Sequence, residues 1–164
     1  LEHLGYGLVF SAAVASLCAG AGFPGKLFFG WVSDKASIKL CMICVITAQF
    51  VGQLLMYLSE TTELFVVGAT IFGFGVGGVV PMQGAIVGRT FGRSSFGSVL
   101  GIMRPAMFPI QILGVPFAGL VFDEFGSYEI AFRVFLLLYL IAIVSICFYK
   151  RPVEKISETY LEAK

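Results

Sequence analysis

VSDKASIKLCMICVITAQFVGQLLMYLSETTE, residues 32–63, holds an uncharged run at 40–58, closed by Asp34, Lys35 and Lys39 on one side and by Glu60 and Glu63 on the other. At the helical rise of 1.5 Å per residue such a run reaches roughly 28 Å, close to the hydrocarbon thickness of a bilayer. Backbone groups in lipid must find partners within their own segment, and the run lacks the apolar/polar alternation of a barrel strand. It therefore reads as a transmembrane α-helix.

The same pattern extends in both directions. Apolar runs at about 7–32, 64–88, 96–122 and 130–149 join the one at 40–58, so the sequence predicts an all-α membrane protein with five transmembrane helices in a bundle over 1–149, followed by a tail at 150–164. The composition agrees: 58% hydrophobic, 13% charged, mean hydropathy +0.93 and 17 Phe against one His, far from the balance of a soluble domain. A net charge of +1 leaves no basic face for nucleic acid, so the lipid bilayer is the expected partner.

Charge placement gives the orientation. Lys35, Lys39, Arg89, Arg93, Lys150, Arg151, Lys155 and Lys164 fall on one side, whereas the other has only Arg133 together with Glu2, Glu60, Glu63, Asp123, Glu124 and Glu129. The positive-inside rule puts the first group, and with it the C-terminus, in the cytoplasm, for a multi-pass protein of a plasma or inner membrane. Five spans then place Leu1 outside, and the segment is expected to be a piece of a longer protein with an odd number of spans before it.

Several motifs carry no chemistry. GAGFPG (20–25) and GFGVGG (73–78) fit G-x-G-x-x-G, yet both lie inside membrane runs rather than between a strand and a helix, so neither is expected to hold a dinucleotide. Their glycines suit close helix approach, with Gly73/Gly77 and Gly84/Gly88 as small-xxx-small pairs. Cys41 and Cys44 open an apolar helix with no second ligand pair, and His3 stands alone, so packing is expected in place of zinc or redox chemistry. No metal, cofactor or catalytic dyad is expected.

The informative charges are Lys26 and Arg104. Lys26 precedes Asp34 by eight residues, about 12 Å into its span, and Arg104 lies about 13 Å beyond Ser95 in the fourth. All ten carboxylates lie at span ends, links or the tail, so no span supplies a counter-charge. A charge in the bilayer is costly unless it is paired or faces water, so both cations should look into a cavity whose partner is an acid on another helix or a bound anion. Pro105 and Pro109 free the carbonyls of Gly101 and Pro105 and loosen the helix around Arg104. Gln83 is a candidate polar neighbour, and Gln49, Gln53 and Gln111 are candidate interhelical contacts.

GKLFFGWVSDKASIK (25–39) resembles the G-x-x-x-D-(R/K)-x-G-x-(R/K) loop of the major facilitator superfamily, with Gly30, Asp34, Lys35 and Lys39 in register and Ser37 where the family prefers glycine. GRTFGRSSFGSVLG (88–101) and DEFGSYEIAF (123–132) resemble the entry to that family's eleventh helix and the link to its twelfth. The resemblance implies helices eight to twelve of a twelve-helix secondary transporter, with the N-terminal half as the missing partner. GKLFFGWVSD further resembles the end of helix eight in the monocarboxylate and oxalate/formate branches, where a basic residue binds substrate carboxylate. Lys26 takes that position, with lysine in place of arginine, and Arg104 falls near the basic residue of helix eleven.

These readings make Arg104, Lys26 and Gln83 the candidate binding residues for a small organic anion carried by alternating access. Gly30, Asp34, Lys35, Lys39, Arg89 and Arg93 are the candidate gating residues, with Asp34 able to pair with adjacent cations or a neighbouring helix N-terminus. A drug or sugar carrier on the same scaffold would leave Arg104 paired to a lost acid instead, and a membrane scaffold would show no substrate-dependent flux. An intramembrane enzyme would need a catalytic pair or metal cluster that the spans lack.

Overall fold

The computed structural model describes residues 7–148; Leu1, Glu2 and His3, and everything from Tyr149 through the 150–164 tail, including Lys150, Arg151, Lys155 and Lys164, lie outside the described residues. The chain forms α1 (Leu8–Lys35), α2 (Ile38–Leu58), α3 (Thr62–Phe125) and α4 (Glu129–Phe148). All four are long and apolar enough to cross a membrane.

The helix ends follow from local chemistry. Ser37 caps α2 by accepting the Leu40 N–H at 3.3 Å, and Thr61 caps α3 by accepting that of Leu64 at 3.4 Å. Gly126, at φ 66°, closes α3 in the left-handed region, where its N–H reaches the Phe122 carbonyl at 2.8 Å. Glu63 and Glu129 sit in first turns, where the helix dipole favours anions. The links between elements are only two or three residues long, so successive helices reverse direction.

The third element departs from expectation. The sequence predicts separate spans at 64–88 and 96–122, whereas α3 runs for 64 residues, about 96 Å if it were straight. It is not straight. Gly92 has φ 72° and ψ −177°, a region open essentially only to glycine, and Gln83 Nε2 lies 3.9 Å from Met107 Sδ although a straight helix would part those residues by about 36 Å. Phe96 also returns to within 3.7 Å of where a Cβ on Gly88 would stand. The chain thus doubles back through one residue, and Arg89–Phe91 and Arg93–Ser95, expected as a loop, continue the helices on either side.

Packing is densest where α1 and α2 enclose the stretch of α3 before Gly92. Cys18 and Gly22 of α1 lay their carbonyls against Gly73 and Gly77, and Gly25 abuts the Phe74 carbonyl. On the opposite side, a Cβ on Gly68 would stand 2.8 Å from the Gly52 carbonyl of α2, and one on Gly75 2.9 Å from Gln49 Cγ. Glycine is required here because backbone meets backbone. Phe29, Cys41, Val45 and Met82 form the buried cluster beside these seams, and Phe29 and Phe28 pack on Phe74 at ring separations of 5.4 and 5.6 Å. Cys41 is an interior packing residue there, while Cys44 is exposed. The Gly73/Gly77 pair thus meets a neighbouring helix as expected. Gly84 and Gly88 do not: they face the Phe96 ring of the returning strand of helix, not another backbone.

Helix α4 lies antiparallel on α2 and touches it at three levels: Lys39 donates to the Cys147 carbonyl at 2.6 Å, Tyr139 to Gln49 Oε1 at 3.2 Å, and Tyr57 to Glu129 Oε1 at 3.2 Å. The stretch of α3 after Gly92 is held more loosely. Gly97, Gly101, Gly114 and Gly119 have nothing within 4 Å of a would-be Cβ, and Ile102, Phe108, Ile110 and Val115 are exposed.

Candidate functional site

Arg104 and Lys26 are both exposed, and neither makes a hydrogen bond or ion pair with a described residue. The ion pair present among the described residues joins Arg133 to Glu129 far from either of them in the chain. No carboxylate of the described residues therefore neutralises the two cations. Both keep their donors unpaired among the described residues.

The surroundings of the two differ. Lys26 follows Gly25, whose close approach to Phe74 fixes that turn of α1 against α3. Arg104 stands on the loosely held stretch of α3, in the turn before Met107, the residue that Gln83 meets across the reversal. The Gly92 reversal therefore brings Gln83, half-buried, to the neighbourhood of the Arg104 turn. No described hydrogen bond links Lys26 to either. An open cleft of about 430 Å³ between the later part of α3 and α4, lined by Gln111, Gly114, Ala118 and Phe135 among others, contains neither cation. That cleft is mostly apolar in its lining, with Gln111 and Tyr128 as its polar members, and Lys26, Gln83 and Arg104 do not line it.

The candidate gating residues sit at the helix ends near Asp34, but with partners other than those expected. Arg89 donates to the Ser33 carbonyl in the last turn of α1, and Lys39 to the Cys147 carbonyl in the last turn of α4. In both cases a cation from one helix satisfies an end carbonyl of another, at the negative pole of its dipole. Lys35 lies over the Trp31 ring, 4.0 Å from its centroid, rather than on Asp34. Asp34 is exposed and forms no ion pair with a described residue. The reason is geometric: Asp34 and Lys35 are successive residues of one helix and point apart, whereas Trp31 lies one turn back on the face of Lys35. A Cβ built on Gly30 would stand 3.9 Å from Pro81 Cβ, and Arg93 is exposed beside Gly92.

Sequence reasoning missed two single residues and one cluster. Ser33, 4% exposed, turns its hydroxyl onto the Gly30 carbonyl at 2.7 Å and offers its own carbonyl to Arg89. Tyr139 reaches Gln49 in midspan. Tyr57, Glu129 and Arg133 form a cluster at the opposite end, where Arg133 Nε donates to Tyr57 Oη at 2.9 Å. A usable signal existed only for this last group, since the up-and-down order of the spans already set 57 and 129 at one face.

The apolar helices define a multi-pass membrane protein. The sequence matches the Major Facilitator Superfamily over residues 1–163, and the chain belongs to that family. Curated relatives include monocarboxylate transporter 12 of Xenopus laevis, 29% identical over 126 residues, covering 74% of this chain and 27% of the relative. Monocarboxylate transporter 13 of Rattus norvegicus is 24% identical over 136 residues, covering 82% and 32%. Low affinity inorganic phosphate transporter 4 of Petunia hybrida is 30% identical over 131 residues, covering 74% and 22%. The chain thus spans between about a fifth and a third of the length of these relatives. No solved structure matches it.

Proposed function

We propose that this chain is the part of a major facilitator corresponding to helices eight to twelve, and that the whole transporter carries a small anion, foremost an organic carboxylate, by alternating access. On this reading α1 and α2 are crossings one and two, α3 supplies two crossings that meet at Gly92, and α4 is the fifth, with the Asp34 end and the C-terminus cytoplasmic. The Lys39 and Arg89 contacts to helix-end carbonyls then lie at the cytoplasmic face, where they tie α4 to α2 and α3 to α1. Gly30, Asp34, Lys35 and Arg93 complete the gating surface that would meet the absent N-terminal half.

One observation carries the reading: Arg104 and Lys26 lie within apolar helices, exposed and without a carboxylate partner among the described residues. Two desolvated cations without counter-charges are destabilising in a membrane interior unless an anion or an acid from elsewhere completes them. Arg104 can grip a carboxylate through a bidentate fork, and Lys26 can add a point charge. Gln83, beside the Arg104 turn, would supply an amide donor. The names of the relatives share an anionic cargo, which favours an anion over a neutral drug or sugar.

The test is counterflow of labelled small carboxylates, with inorganic phosphate in parallel, into proteoliposomes holding the full-length transporter. Carboxylate exchange is expected to fall at least tenfold in Arg104→Gln at equal insertion. Transport of a neutral or cationic substrate, or carboxylate flux that survives the substitution, would overturn the anion site. Exchange of phosphate alone would keep the anion and change its class.

A further inference from the structure

Gln49, 7% exposed, sits midway along α2 and joins three helices. Its Nε2 donates to the Gly75 carbonyl of α3 at 3.5 Å, and its Oε1 accepts from Tyr139 Oη of α4 at 3.2 Å. The missing side chain of Gly75 is what lets the glutamine lie so close, because a Cβ there would stand 2.9 Å from both Cγ and N of Gln49. The same turn of α3 presents Gly73, Phe74 and Gly77 on its other side to Cys18, Gly22 and Gly25 of α1, backbone against backbone. Lys26 is the next residue. A continuous line of contacts thus runs from the α4 hydroxyl, through Gln49 and the glycine segment of α3, to the turn of α1 that bears Lys26.

Packing alone does not call for a glutamine and a tyrosine hydroxyl here. Leucine fills the volume of glutamine and phenylalanine that of tyrosine, and a buried polar group is tolerated only because its partner is present. The glycines themselves bring no side chains to the α1–α3 seam, where Phe28 and Phe29 on Phe74 supply the interlocking apolar contact, and the polar contacts behind the seam add a directional one.

We propose that Gln49 and Tyr139 are positioning residues for Lys26: their hydrogen bond sets where the glycine segment of α3 lies, and through it where α1 presents Lys26 to the substrate. The proposal rests on the reading of Lys26 as part of the anion site, and its test has one arm that does not depend on that reading. In the full-length transporter with Cys18, Cys41, Cys44 and Cys147 replaced by serine, Lys26→Cys is labelled from the aqueous side with a charged methanethiosulfonate, with and without Tyr139→Phe. Tyr139→Phe removes one hydroxyl and keeps the ring. A two- to threefold change in labelling rate is expected, the size of a typical hydrogen bond between membrane helices.

In the Lys26-containing protein, Tyr139→Phe is expected to raise the KM for the transported anion by a similar factor with kcat unchanged. Adding Gln49→Leu distinguishes positioning from mere stability. The double variant leaves no polar group unpaired, so its thermal stability returns toward the parent while labelling and KM remain shifted. Equal labelling rates with and without Tyr139→Phe overturn the proposal, as does a KM that recovers together with stability in the double variant. Altered labelling with an unaltered KM supports the brace and removes Lys26 from the anion site.

Discussion

The two halves of α3 are both apolar and both carry glycines, yet they behave in opposite ways. Before Gly92, the glycines at 68, 73, 75 and 77 are each pressed on the backbone or side chain of a neighbouring helix; after it, those at 97, 101, 114 and 119 face open space. One half is the centre of the bundle and the other is its most exposed face. A glycine-rich apolar helix thus carries no information by itself on whether its small residues are already in use. The contrast has a functional edge, because the tightly packed half faces the Lys26 turn and the loose half bears Arg104. One cation is set by the seams within this chain, whereas the other stands on a surface that nothing described covers.

The largest effect should come from filling a used glycine. A Cβ on Gly77 would stand 2.8 Å from the Gly22 carbonyl carbon and 2.9 Å from its Cα, backbone atoms that cannot swing aside. Gly77→Val in the full-length protein is expected to cost at least the ~1–3 kcal/mol of an overpacked core and to abolish the folded monomer in size-exclusion chromatography in detergent. Gly101→Val, with nothing within 4 Å, should leave the profile unchanged. Equal damage at both positions would mean that the loose half is covered as tightly in the intact protein, and the contrast would disappear.

Gly92 comes next. No Cβ clash opposes a side chain there, so the whole penalty of Gly92→Ala is conformational, about 1–3 kcal/mol for a residue forced into φ 72°, ψ −177°. A Gln83→Cys/Met107→Cys pair cross-links across the reversal in an otherwise cysteine-free protein, and Gly92→Ala is expected to lower its yield severalfold. An unchanged yield would show that the reversal does not depend on the glycine backbone.

Much of this was legible in advance, and the reason is physical. Length and hydropathy fix where helices must lie in lipid, so the runs at 40–58 and 130–149 coincide with α2 and α4 to within about two residues. The third link was not legible because its charged and hydroxylated residues, Arg89, Thr90, Arg93, Ser94 and Ser95, look like a loop yet keep helical geometry up to a single glycine. At the site, Lys26 and Arg104 announced themselves as charges out of place. The contacts that position the Asp34 end did not, because they run to backbone carbonyls, at Ser33 and Cys147, which have no signature in the sequence.

Those carbonyl contacts give a smaller, directional prediction. Arg89→Gln keeps an amide donor but loses the charge that complements the end of α1, so it should lower thermal stability by less than about 1 kcal/mol. If the contact also belongs to the cytoplasmic gate, the ratio of inward- to outward-facing accessibility of Lys26→Cys shifts severalfold. A change in stability with no change in that ratio assigns Arg89 to the bundle alone.

The smallest effect belongs to the opposite end. Arg133 and Glu129 are largely exposed, one turn apart on α4, and their link to α2 runs through the hydroxyl of Tyr57. Exposed ion pairs gain little because water solvates both partners, and salt screens what remains. Arg133→Gln is therefore expected to leave the thermal midpoint of the full-length protein unchanged within error at high salt. Tyr57→Phe should produce the larger shift of the two, because Tyr57 is the only member of the described trio on α2; its ring stacks on Phe132, at 6.4 Å between centroids. The ring survives that substitution and the hydroxyl does not, so whatever shift appears measures the polar bridge between the helices alone. A larger loss from Arg133→Gln than from Tyr57→Phe would mean that this end is held by charge, and that α4 is fastened there more firmly than its exposed contacts indicate.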